Sequence, residues 1–171
     1  MDFLELAKSR YSVRQFSDKP VAEAMVDKIL EAARVAPTAC NLQPAHLVVV
    51  RTEEGMKKLR ECTPFSWMDV PLAIIVYGDA SRAWVRAYDG DNAAVVDASI
   101  IGTHILMEIA ELGLGTTWIG CFDPAKVKQF FPMDATLQPI AIFPIGWPAD
   151  DARPNPMHFQ RKEREQFVTY C

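Results

Sequence analysis

The stretch Asp91–Leu112 reads DNAAVVDASIIGTHILMEIAEL and is the longest helical pattern in the chain. At about 100° per residue its ionisable positions, Asp97, His104, Glu108 and Glu111, share one narrow stripe. The rest of its circumference is apolar or small, with Val95, Val96, Ala98, Ile100, Ile101, Ile105, Leu106, Met107 and Ile109. A helix apolar nearly all round has to be covered on several sides. That places it at the centre of a core, in a subunit interface, or in both.

Helical and extended patterns alternate on either side of this segment. Residues 2–8 read as a short helix, and Val21–Val35 as a longer one with Val21, Met25, Ile29, Ala32 and Ala36 at helical spacing and Pro37 as its stop. Glu53–Cys62 reads as a further helix. Leu47–Val50 and Leu72–Tyr77 are apolar, β-branched runs of the kind found in strands buried on both faces. Leu137–Ile145 is another strand, and Pro139 and Pro144 within it point to an edge or to irregular ends. Helices interleaved with buried strands give an α+β fold, a three-layer α/β/α sandwich. At 171 residues, half of them hydrophobic, the chain is expected to form a single domain over residues 1–171 with one sizeable core. Pro148, Pro154 and Pro156 mark a proline-rich exit ahead of a basic tail, the pattern of an extended C-terminal arm that reaches a neighbouring subunit.

Composition removes several function classes. Lys and Arg number 18 against 22 Asp and Glu, a net charge of −4, and the basic residues are scattered, so nucleic acid is not an expected partner. Cys40, Cys62, Cys121 and Cys171 lie far apart with no CxxC and no nearby histidine, which suggests reduced thiols and neither a metal site nor a disulfide framework. No run has the length of a membrane span, and Met1–Leu6 is acidic and amphipathic, unlike a basic segment followed by an apolar one. A cytoplasmic protein without a membrane partner is the expectation. His46, His104 and His158 could be ligands or acid–base groups, but His46 opens a strand and His104 sits on the helical stripe, positions that suit structural histidines. No Ser-His-Asp, Cys-His or paired-carboxylate constellation can be assembled from spacing. Chemistry would then fall to a cofactor.

Three blocks carry polar groups in patterns that suit a ligand. In Arg10-Tyr11-Ser12-Val13-Arg14, a period of two puts Arg10, Ser12 and Arg14 on one side and Tyr11 and Val13 on the other. Two guanidiniums and a hydroxyl suit a phosphate dianion, and Arg161-Lys162 is a second basic pair. Taken singly, each such group is an ordinary solvated charge. Pro37-Thr38-Ala39-Cys40-Asn41-Leu42-Gln43-Pro44 presents the amides of Asn41 and Gln43 from a loop held between two prolines. Those amides could read the polar edge of a bound ring or merely stabilise a capped loop. In Gly113–Gly120, Gly113 reads as the residue that ends the long helix, with Thr116–Ile119 continuing as a strand.

Arg10–Phe16, Ala36–Pro44 and Gly113–Gly120 together resemble the FMN-dependent nitroreductase family, in its order and spacing. Pro144–Pro148 and the closing Arg161-Lys162 extend the resemblance over nearly the whole chain, at the compact end of the family's size range. The resemblance implies a homodimer with two equivalent FMN sites at its interface and NADH or NADPH as co-substrate. It implies ping-pong hydride transfer through flavin N5 to a nitroaromatic, a quinone or another electron-poor small molecule, with no catalytic side chain. By position, Arg10, Tyr11, Ser12, Arg14, Arg161 and Lys162 would meet the FMN phosphate. Asn41 and Gln43, with the main chain of Pro37, Thr38, Trp118, Ile119 and Gly120, would meet the ring, the 37–44 loop coming from the other subunit. The chain departs from the usual family pattern at Tyr11, where a basic residue is frequent, at Ala45, where an aromatic usually follows the proline, and at Glu163 and Arg164 in the tail. Two further readings fit the same blocks. One is a non-enzymatic flavin-binding or storage protein. The other is a flavin-fragmenting or dehalogenating relative, although no insertion here is long enough to supply the added lid such relatives tend to carry.

Overall fold

A three-stranded antiparallel sheet divides the fold into two helical layers. The computed structural model describes residues 2–65 and 69–171, so Met1 and residues 66–68 lie outside it. The strands are β1 (Ala45–Val50), β2 (Leu72–Asp79) and β3 (Leu137–Ile145), in the order β1-β2-β3. The helices are α1 (Phe3–Ser9), α2 (Glu23–Arg34), α3 (Glu53–Glu61), α4 (Ala94–Glu111), α5 (Pro124–Phe130) and α6 (Arg164–Phe167). Alternation along β2 decides the layering. Leu72, Ile74 and Val76 join Phe143 of β3 in a core with α2 and α4, while Ala73, Ile75 and Tyr77 join Ile142 in a second core with α3 and α5. Every residue of β2 is buried, as its continuous apolar run requires of a central strand.

The helix starts follow local chemistry. Asp2 and Glu5 form a capping box on α1. Thr52 caps α3, and Asp123 caps α5 with Pro124 in its first turn. At the end of α4, Gly113 adopts φ 73°, its N–H donates to the Ala110 carbonyl, and the Leu114 N–H reaches back to Ile109 at 3.0 Å. This is the Schellman arrangement, and it stops the helix where the glycine predicts.

Several expectations are corrected. The 21–35 helix is shorter, and it buries Val26, Ile29 and Ala33, with Met25 and Ala32 only half-buried at the margin of that face. Val21 and Ala36 are buried from the flanking chain. The strand Leu47–Val50 faces a core on both sides, Leu47 and Val49 toward the first and Val48 and Val50 toward the second, but as an edge strand paired only with β2 it is half-buried except at Val50. Thr116–Ile119 forms no continuous strand and touches its neighbours through isolated bridges, Ser12 to Thr116 and Ile119 to Ile142. Asp97, on the same stripe of α4 as His104, Glu108 and Glu111, is buried at 1% exposed, whereas Val95 and Val96 are 57% and 55% exposed. One face of α4 fills the core and much of the opposite face stays open in the single chain.

The prolines of β3 have a geometric explanation. Ile142 exchanges main-chain hydrogen bonds with Ile119, on the side away from β2. Pro144 is two residues on and shares that outward phase, so it removes no bond from the β2 ladder. A register shift between Val76 and Tyr77 brings Pro139 opposite Tyr77, in the same outward phase.

Burial pushes the Cys62 thiol up to about 11 and the Tyr77 hydroxyl up to about 12. Both groups are neutral in the fold and ionise more easily when unfolded. Their contribution is therefore complete below pH 9 and is lost as pH rises through the folded values. Urea titrations are expected to show stability falling steadily above pH 9. Tyr77 Oη donates to the Phe131 carbonyl at 3.2 Å, so Tyr77→Phe should cost about 1 kcal/mol at neutral pH. The same variant should lessen the alkaline decline, and an unchanged decline would refute this assignment.

Candidate anion cleft and loop site

The C-cap of α1, Arg10, turns the chain from helix into an extended segment. The Val13 N–H donates to the Thr116 carbonyl at 3.0 Å, and the Ser17 N–H donates to the Trp147 carbonyl at 2.9 Å. Val13 is buried against Gly115, where an added Cβ would lie 2.9 Å from three Val13 carbons. Glycine at 115 is what lets the two backbones approach this closely. With Val13 pinned inward, Arg10, Ser12 and Arg14 form one wall of a cleft of about 380 Å³, and Asn155, His158 and Arg161 form the other. Tyr11, expected on the packing face, also lines this cleft and meets the His158 ring edge-on at 6.4 Å. His158 Nε2 lies 3.1 Å from the Lys8 carbonyl, which ties the C-terminal segment to α1. Arg14 reaches the Ser12 carbonyl and Arg161 the Gln160 carbonyl, and no salt bridge among the described residues engages Arg10, Arg14 or Arg161. No carboxylate lines the cleft. Three uncompensated guanidiniums facing a hydroxyl and an amide make an anion site, phosphate above all.

The loop from Pro37 to Gln43 follows α2 and leads into β1. Cys40, Asn41 and Gln43 hold φ values of 51°, 54° and 50° without being glycine, a cost of about 1 kcal/mol or more each that surrounding bonds must offset. Thr38 Oγ1 accepts from the Gln43 N–H at 3.0 Å, and the Asn41 N–H donates to the Thr38 carbonyl at 2.9 Å. The Ala39 N–H donates to Asp97 Oδ1 of α4 at 2.9 Å. Asn41 and Gln43 are exposed, with Leu42 beside them. Thr38 and Gln43 line a hollow of about 240 Å³ between α2 and β1.

Beyond Thr116, Trp118 packs edge-on against Phe143 at 5.1 Å and over Gly102 of α4, where a Cβ would lie 2.6 Å from the indole. Ile119 is buried, and its N–H and carbonyl are both bonded to Ile142. Gly120 is exposed, and a Cβ there would meet only the Trp118 ring, at 3.7 Å. Nothing in the chain's own packing requires glycine at that position.

The model of the nitroreductase family matches residues 7–63 and 60–147, which contain all three blocks. The chain belongs to the nitroreductase family. A Methanothermobacter thermautotrophicus protein named as a candidate NADH dehydrogenase/NAD(P)H nitroreductase is 36% identical over 157 residues, covering 88% of this chain and 80% of that one. A Bacillus subtilis protein named FMN reductase (NAD(P)H) is 28% identical over 162 residues, and the match covers 85% of this chain and 65% of the longer relative. The crystal structure of a nitroreductase family protein from Clostridium difficile 630 superposes with a TM-score of 0.92 at 36% identity, over 99% of this chain and 98% of that one.

In this nitroreductase-family chain the structure gathers Arg10, Tyr11, Ser12, Arg14 and Arg161 into one cleft. Lys162, next along the tail, is exposed and does not line it. None of Pro37, Thr38, Asn41, Gln43, Trp118, Ile119 or Gly120 lines it either: the first and third blocks meet through Val13, Gly115 and Thr116, while the polar groups of the 37–43 loop lie apart from the cleft. Asn155 is not among the expected site residues, and the sequence offers His158 only as a ligand or acid–base group and not as part of this cleft. Asn155-Pro156 is an N-cap followed by a first-turn proline, and the Asn155 side chain accepts from the Met157 N–H. That signature could have flagged a turn directing His158 beside the basic pair.

Proposed function

We propose that this chain is an FMN-dependent NAD(P)H oxidoreductase acting as a homodimer, each flavin site being completed by the 37–43 loop of a second copy. The observation that carries this reading is the cleft with three unpaired guanidiniums, whose donors fit a phosphate dianion. Arg10, Ser12, Arg14 and Arg161 hold that phosphate, Tyr11 and His158 flank it, and Lys162 approaches from the exposed tail. The amides of Asn41 and Gln43, with the main chain of Pro37 and Thr38, face the ring edge. Trp118 and Gly120 offer main chain beside it, and Ile119 contributes a carbonyl already shared with Ile142. FMN held there would supply hydride transfer between NADH or NADPH and a nitroaromatic, quinone or similar electron-poor acceptor. Donors at the ring edge favour the added negative charge without any titrating side chain.

Two features support the shared site. Thr38, Asn41 and Gln43 lie outside the anion cleft of their own chain, and apolar surface stands open on Phe3, Leu4, Leu42, Val95 and Val96. FMN titration followed by flavin fluorescence, with the solution mass measured on the same sample, tests the reading. One FMN per chain in a particle of two chains is expected. A monomer that binds FMN equally well would contradict the shared site.

A further inference from the structure

Asp97 stands on α4 among Ala94, Ala98 and Ile101 and is buried. Core packing gives no reason for a carboxylate there, because an apolar side chain would complete that face of the helix. Its Oδ1 accepts from the Ala39 N–H at 2.9 Å, while its Oδ2 has no hydrogen-bond partner among the described residues. Among the described residues the other hydrogen bonds of the 38–43 loop run within the loop: the Gln43 N–H to Thr38 Oγ1, the Asn41 N–H to the Thr38 carbonyl, the Leu42 N–H to the Ala39 carbonyl, and Gln43 Nε2 to the Asn41 carbonyl. They set its shape. The bond to Asp97 sets its place, since it joins the loop to α4, the helix packed at the centre of the fold.

We propose that Asp97 is a positioning residue for the flavin site, anchoring the 38–43 loop through the Ala39 N–H so that the Asn41 and Gln43 amides are presented to the ring edge. This rests on the flavin reading of that loop. Two measurements on the full chain keep the two claims apart: amide exchange in the flavin-free protein, and the Kd for FMN. In Asp97→Ala the Ala39 amide should exchange at least tenfold faster while the β2 amides stay unchanged, and the FMN Kd should rise about tenfold or more. Asp97→Asn keeps the Oδ1 acceptor and should stay within about threefold of wild type in both. Ala39→Pro removes the donor from the loop side without touching α4, and should reproduce the loss of affinity even if Asp97→Ala fails to fold. Unchanged Ala39 exchange in Asp97→Ala, or an unchanged Kd in Ala39→Pro, overturns the proposal, as does an Asp97→Asn protein that behaves like Asp97→Ala. Absence of FMN binding by wild type would instead overturn the flavin reading, and exchange at Ala39 would still decide whether Asp97 anchors the loop.

Discussion

Arg14→Ala is expected to raise the Kd for FMN by about 10- to 150-fold, the equivalent of one charge-assisted hydrogen bond worth about 1.5–3 kcal/mol. Arg14 is exposed, and its hydrogen bond to the Ser12 carbonyl is a long one, 3.3 Å. Little in the fold depends on it. Val13 beside it carries the packing and the bridge to Thr116, so the thermal midpoint of the flavin-free variant should match wild type. Flavin fluorescence titration gives the Kd, and a thermal melt checks the fold. Arg14→Lys should restore only part of the affinity, because an ammonium keeps the charge but loses the planar fork. An Arg14→Ala protein with wild-type flavin affinity would remove the phosphate role of this wall.

Ending the chain after Pro156 is expected to have a larger effect. It deletes His158 and Arg161 from the second wall of the cleft, together with the tail whose Phe159, Phe167 and Tyr170 are 72%, 82% and 77% exposed. Apolar side chains this open on their own chain are what a dimer would cover. Among the described residues the sheet and α4 make no hydrogen bond to residues beyond 156, although the His158 contact to the Lys8 carbonyl would be lost. The truncated protein should therefore fold, lose flavin affinity by at least about a hundredfold, and shift toward the mass of one chain. Analytical ultracentrifugation and the ratio of flavin to protein absorbance read both effects. A dimer with full flavin occupancy would contradict the arm.

The fold was legible where the sequence pattern had one physical solution. The apolar run of β2 has to be covered on both faces, and the bounds of β3 follow from its pattern, 137 to 145. It was illegible where tertiary contact overrides periodicity. Asp97 shares a helical stripe with His104, Glu108 and Glu111, yet it is buried because a loop 58 residues away supplies its donor. No local signal encodes that pairing. Thr116 likewise looked like the start of a strand, whereas its carbonyl accepts from the Val13 N–H across the chain. Alternation alone placed Arg10, Ser12 and Arg14 on one wall. The opposite wall depends on how the tail folds back over α1, and Tyr11 lines the cleft because the His158 ring packs against it.

The central claim is that this chain holds FMN and passes electrons from a nicotinamide, and a visible absorbance spectrum of the purified protein before and after anaerobic NADH or NADPH tests it most directly. The account predicts a yellow protein that either nucleotide bleaches and an added quinone or nitroaromatic recolours. A yellow protein that neither nucleotide bleaches would make the chain a flavin-binding or storage protein. A colourless protein that takes up no added FMN would contradict the assignment of the cleft itself.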